Sequence, residues 1–255
     1  MKRILFLAVA MMISAGCSAQ LHSVAYNDWF EEGNAAYNEG DYEQAMAFYN
    51  QIIEAGMESA DVYYNLGNTY YKIKQYPMAI LYYEKALKLR PGDDDIQANL
   101  EIANLAVVDK INAIPQSFFV KWWNGVKSKF SADGWAWVSM VTFALLLLCV
   151  FAFLMARRAA LRKVGFFAGL VLLVCMVFSV VFAMEKYQDM SRHDEAIIMT
   201  PTITVKSSPS DNAVDLFVLH EGAKVRLLDS SQGWNKIKIA DGSVGWLRED
   251  VMIAF

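Results

Sequence analysis

The chain has 255 residues, 56% of them hydrophobic, and a formal charge of −4. That apolar share exceeds the roughly 45–50% of soluble domains, and the acidic balance leaves no footprint for nucleic acid. Its three cysteines (Cys17, Cys149, Cys175) and three histidines (His22, His193, His220) form no disulfide framework, metal-ligand cluster or catalytic triad in sequence. No cofactor is implied.

Residues 1–19 have the three parts of a secretory signal peptide: basic Lys2 and Arg3, an apolar run from Ile4 to Ile13, then small residues. Cleavage after Ala19 fits that pattern. Ala15-Gly16-Cys17 also allows a lipoprotein signal with Cys17 acylated, although Ser14 stands where an aliphatic residue is usual. Either route exports the chain from Leu21 onward.

Residues 25–112 carry an internal repeat. WFEEGNAAYNEGDYEQAMAFYNQII from Trp29 aligns with YYNLGNTYYKIKQYPMAILYYEKAL from Tyr63 at an offset of 34 residues. Gly33 meets Gly67, Asn34 meets Asn68, Tyr37 meets Tyr71, Tyr42 meets Tyr76, Ala45 meets Ala79 and Tyr49 meets Tyr83. The segment resembles the tetratricopeptide repeat, whose period is 34. That implies an all-α solenoid with repeats at 25–58 and 59–92, closed by a capping helix at 94–112. Small Gly67 and Ala79 suit close helix approach, Tyr49 and Tyr83 fill the gap, Gly40-Asp41 and the weaker Lys74-Gln75 make the turns, and Pro91 stops the last helix. The resemblance implies a peptide groove on the A helices at Phe30, Asn34, Tyr37, Asn38, Tyr64, Asn65, Asn68, Tyr71, Lys72 and Asn99. Asn34, Asn65 and Lys72 resemble carboxylate-holding positions of that family. Phe30 stands where a lysine would be expected, so binding of a plain protein segment is the implied activity.

Residues 113–134 include SFFVKWWNGVKSKF, whose Phe119, Trp122, Trp123, Val126 and Phe130 recur at three- and four-residue steps. This is an amphipathic helix suited to a bilayer interface. Residues 135–156 and 164–184 are uncharged runs of 22 and 21 residues. Each is long enough to span about 30 Å of hydrocarbon as a helix. Residues 157–163 between them hold Arg157, Arg158, Arg162 and Lys163 and no acid, which assigns this loop to the cytoplasm and both flanking domains to the other side.

After a polar linker at 185–195, residues 196–255 alternate short β-branched or aromatic runs with turn clusters such as SSPSDN, SSQG and DG. A small, partly open β-barrel is expected. The carriers Ser208-Pro209-Ser210, His220-Glu221-Gly222, Gly233-Trp234, Asp241-Gly242 and Gly245-Trp246 resemble the bacterial SH3-like domain, implying a peptide or cell-wall ligand, with Trp234 and Trp246 the candidate surface.

The order of parts resembles the tetratricopeptide, BatE-like members of the aerotolerance-operon (Bat) family over nearly the full length. That implies a two-pass bacterial inner-membrane protein with both flanking domains periplasmic, a non-catalytic scaffold in aerotolerance or envelope stress. The implied partners are membrane proteins of the same operon with von Willebrand-type domains, with peptidoglycan binding through the SH3-like domain as the alternative. No nucleophile motif, paired carboxylates or phosphate loop points to an enzyme.

Overall fold

The computed structural model describes residues 26–110, 117–192 and 194–255. The signal peptide and Cys17 lie outside the described residues, as do His22, His193 and the end of the expected capping helix. Five helices open the described chain: α1 (residues 26–39), α2 (Tyr42–Glu54), α3 (Ala60–Lys72), α4 (Tyr76–Leu89) and α5 (Asp94–Leu105). They pair as α1/α2 and α3/α4 because glycine leaves room for a ring. A Cβ on Gly33 would meet Tyr49 Cε1 at 2.6 Å, and one on Gly67 would meet Tyr83 Cδ1 at the same distance. The turn glycine Gly40 has φ 84°, and its repeat counterpart Lys74 adopts φ 64°. Asp41 caps α2 through a hydrogen bond accepted from the Gln44 amide, and Asp93 caps α5 through the Asp95 and Ile96 amides.

Helix α6 (Phe118–Lys127) lies against the hairpin formed by α7 (Ala132–Met155) and α8 (Ala159–Ser191). The described chain has these two helices long and apolar enough to cross a membrane, with mean hydropathy 2.7 and 2.8 over their best windows. Their outward side chains are exposed, among them Phe151 at 62% and Phe167 at 63%. Gly165 brings the helices together, since a Cβ there would meet the Cys149 carbonyl oxygen at 3.1 Å. Helix α8 is longer at both ends than the expected 164–184. Only residues 156–158 remain outside helix where 157–163 was expected as a loop. The strong helix formers Ala159, Ala160, Leu161, Arg162 and Lys163 let α8 begin early. The expected linker 185–195 is likewise helical as far as Ser191.

Trp123 anchors α6, its ring 4.7 Å from Phe182 and 6.0 Å from Phe178. Trp135 is buried and donates its Nε1–H to the Lys127 carbonyl at 3.0 Å. Phe118, Phe119 and Trp122 point outward and are exposed.

Seven strands follow among the described residues: β1 (Glu195–Ile198), β2 (Thr202–Lys206), β3 (Asp215–His220), β4 (Lys224–Ser231), β5 (Trp234–Lys238), β6 (Val244–Arg248) and β7 (Met252–Ala254). They form one antiparallel sheet in the order β3-β2-β6-β5-β4-β1-β7. The ladder stays open, with β3 and β7 at its edges, and β2 meets β6 through the single pair Lys206–Trp246. Strand β7 was not anticipated. Its core is Ala196, Ile198, Val205, Val225, Ile237 and Leu247.

The sheet docks on the helical array. Ile197 and Phe255 belong to the same buried cluster as Ile80, Ala86, Leu100, Ala103 and Val107 of the array region. Gly222 presses on Val107, 2.7 Å from where its Cβ would lie. Lys224 Nζ bonds Glu84 at 2.8 Å and Glu195 at 3.0 Å. Burial pulls its pKa down, but those two carboxylates more than reverse this and leave it raised. Asp109 accepts the His220 amide at 2.7 Å and lies 2.8 Å from its Nδ1. The strand that meets the array is β1, which packs against α4.

Candidate functional site

The A helices α1, α3 and α5 line one face of the array, and asparagines run along it as a ladder. Tyr49 donates its hydroxyl to Asn34 Oδ1 at 2.8 Å, and Asn65 Nδ2 donates to the same oxygen at 2.8 Å. One repeat further, Tyr83 donates to Asn68 Oδ1 at 2.8 Å and Asn99 Nδ2 donates to it at 3.0 Å. Asn99 Nδ2 also reaches the Tyr64 hydroxyl at 2.9 Å. Phe30, the counterpart of Tyr64, has no hydroxyl for the equivalent bond. The ladder therefore joins α1 and α3 each to its own B helix and to the next A helix.

Beside it opens a cleft of about 330 Å³, lined by Tyr37, Tyr64, Asn68, Tyr71, Lys72, Tyr83, Asn99 and Ile102. Six of the ten residues expected from the sequence meet there: Tyr37, Tyr64, Asn68, Tyr71, Lys72 and Asn99. Phe30 instead stacks on Tyr26 with ring centroids 5.9 Å apart, and Asn38 is exposed outside the cleft. Asn34 and Asn65 lie outside the lining of this cleft and meet through the ladder, where the Asn34 oxygen accepts from both Tyr49 and Asn65. Tyr83 and Ile102 were missed. Ile102 sits one 34-residue period after Asn68, the register that would have found it.

Edge-to-face pairs brace the rim, Tyr37 with Tyr42 at 5.6 Å and Tyr71 with Tyr76 at 5.5 Å. Burial raises the pKa of Tyr37, helped by neighbouring Tyr42 and Tyr64, and raises Tyr49 to about 12; Tyr83 is raised too. The cleft thus offers hydroxyl donors, carboxamides, aromatic faces and the single ammonium of Lys72, a set that matches the backbone edges and side chains of an extended peptide.

The two tryptophans expected as a ligand surface on the sheet stand on its solvent face. Trp234 pairs with Arg248 across the ladder and Trp246 with Lys236, so alternation puts all four on one side. Ile237 and Leu247 point to the core. Both tryptophans are half-buried, and the Arg248 guanidinium lies 5.4 Å from the Trp234 ring.

No curated protein matches this chain. Tetratricopeptide repeat family models match residues 60–93 and residues 29–55. These two helix pairs, with glycine-seated tyrosines and a shared asparagine ladder, are tetratricopeptide repeats, a module typical of protein–protein interaction and not of catalysis.

Proposed function

We propose that this chain is a non-catalytic adaptor of the bacterial inner membrane. In this reading α7 and α8 cross the bilayer, the repeats and the sheet face the periplasm, and the repeat groove holds an extended segment of a partner protein. The observation that carries it is the tyrosine- and asparagine-lined cleft on the A-helix face. The length and exposure of the two apolar helices support the bilayer, and the basic Arg157, Arg158, Arg162 and Lys163 support a cytoplasmic bend. Since the array and the sheet touch through Lys224 and Glu84, they belong on one side. The resemblance to Bat proteins points to von Willebrand-type membrane proteins of the same operon as partners, in aerotolerance or envelope stress.

A photocrosslinking side chain at Tyr71 tests the groove in whole cells. Capture of envelope proteins that is lost when Asn68 and Lys72 are replaced by alanine is the expected result. Equal capture from a control position at the exposed Glu43 would defeat the reading.

The second reading, attachment to the cell wall, is favoured by the solvent face of β5 and β6. The motif-based SH3-like assignment supports it, and Trp234 and Trp246 there stand among Lys236, Lys238 and Arg248, a set suited to an acidic glycopeptide. Co-sedimentation with purified wall sacculi that drops on Trp234→Ala and Trp246→Ala is its test; sedimentation unchanged by both counts against it.

A further inference from the structure

A cavity of about 410 Å³ opens where α4, α6, the end of α8, β1 and β4 meet. Five cations line it: Lys88 of α4, Lys127 of α6, Lys186 of α8, Arg192 just after α8, and Arg226 of β4. Four carboxylates also line it, but three are committed. Glu84 and Glu195 hold Lys224, which is not part of the lining, and Asp189 holds Lys127 at 2.9 Å. Glu195 also lies 4.0 Å from Arg226, and Asp194 completes the acidic lining. Among the described residues, Lys186 and Arg192 have no side-chain carboxylate within 4.0 Å. Lys88 is bonded to the main-chain oxygens of Phe255 and Arg192, at 2.8 and 2.9 Å. Burial lowers its pKa, the more so with Lys224 nearby, while Glu195 and Asp194 partly offset this. A partly open pocket that gathers Lys186 and Arg192 without a side-chain carboxylate on either favours an anion, because a cation near the protein surface gains from a counter-charge at close range.

The depth of the cavity indicates which anion. Lys186 stands two residues beyond Met184, where the apolar run of α8 ends, and beside it lies α6 with its exposed Phe118, Phe119 and Trp122. That is the level of lipid headgroups. We propose that this cavity binds a phosphodiester anion, supplied by the headgroup of an anionic phospholipid or by its soluble equivalent. The proposal rests on the reading of α7 and α8 as a bilayer hairpin. The bound phosphodiester would tie the array, α6, the hairpin end and the sheet together at one point.

The full chain would be reconstituted into lipid nanodiscs of phosphatidylcholine alone or mixed with phosphatidylglycerol, and the lipid retained on re-extraction read by native mass spectrometry. Wild type is expected to retain phosphatidylglycerol in preference to phosphatidylcholine. The double variant Lys186→Gln, Arg192→Gln should lose about thirtyfold in that retention, given about 1 kcal/mol per cation at an anionic surface. Lys121→Gln with Lys129→Gln, on α6 and just beyond it but outside the cavity, should retain it. Glycerophosphoglycerol added to phosphatidylcholine discs separates the sources: a thermal shift assigns the site to a soluble phosphodiester, and lipid retention without a shift assigns it to the bilayer. Equal retention of both lipids with no shift, or equal loss in the control pair, overturns the proposal. A chain that fails to enter the discs removes the hairpin premise, and this proposal with it, which is a distinguishable failure.

Discussion

Lys74 carries a cost that its repeat counterpart avoids. Gly40 takes the left-handed conformation freely, whereas Lys74 holds φ 64° with a Cβ, at about 1 kcal/mol. Lys74→Gly should therefore raise stability by about 0.5–1 kcal/mol in denaturant unfolding of the repeat region, unlike most glycine substitutions. The reverse holds at Gly67, where an added methyl has no space beside the Tyr83 ring at 2.6 Å. Gly67→Ala should cost about 1–3 kcal/mol by the same measurement. Both effects were foreshadowed in sequence by the 34-residue alignment, which set glycine against lysine at one position and glycine against glycine at the other. The asparagine ladder was not legible, because nothing in composition says whether a carboxamide faces a peptide or a neighbouring tyrosine. Asn68→Ala should leave the Tyr83 hydroxyl and the Asn99 amide short of a partner, costing about 1–3 kcal/mol apart from any loss of binding.

Among the elements, the A and B helices stand on tyrosines whose ionisation the fold suppresses. Tyr49 and Tyr82 are both raised to about 12, by burial first. A raised pKa contributes stability that is fully present below the ordinary value near 10 and is lost as pH climbs through the folded value. The array should therefore hold to about pH 10 and unfold cooperatively toward pH 12, with tyrosinate absorbance and helical circular dichroism changing together. Separate, gradual transitions would show the tyrosines to be accessible. Helices α7 and α8 were readable from their apolar runs alone. Their true ends were not, since Ala159 to Lys163 and Glu185 to Ser191 are polar or mixed segments that helix propagation from the apolar runs recruits.

Taken as a whole molecule, the chain closes its repeat array with a sheet. Solenoids need a terminal cap, because each repeat buries its face only against neighbours, and here Ile197 and Phe255 supply apolar cover to the cluster that α4 and α5 share. Phe255 is 4% exposed, with the Lys88 ammonium 4.7 Å from its ring. Phe255→Ala should cost about 3 kcal/mol and raise hydrogen exchange in α4 and α5 as well as in β1, an effect at a distance that independent domains would not show. Sequence alone determined the repeat, through its 34-residue periodicity, the two apolar helices, through length without charge, and the strand-rich end, through alternation and turn residues. All of these are local patterns. Only the tertiary structure decided that the asparagines bond to one another, that Trp234 and Trp246 share the solvent face, and that Lys224 reaches Glu84 across 140 residues. Those contacts depend on how separate elements meet, and no local pattern encodes that meeting.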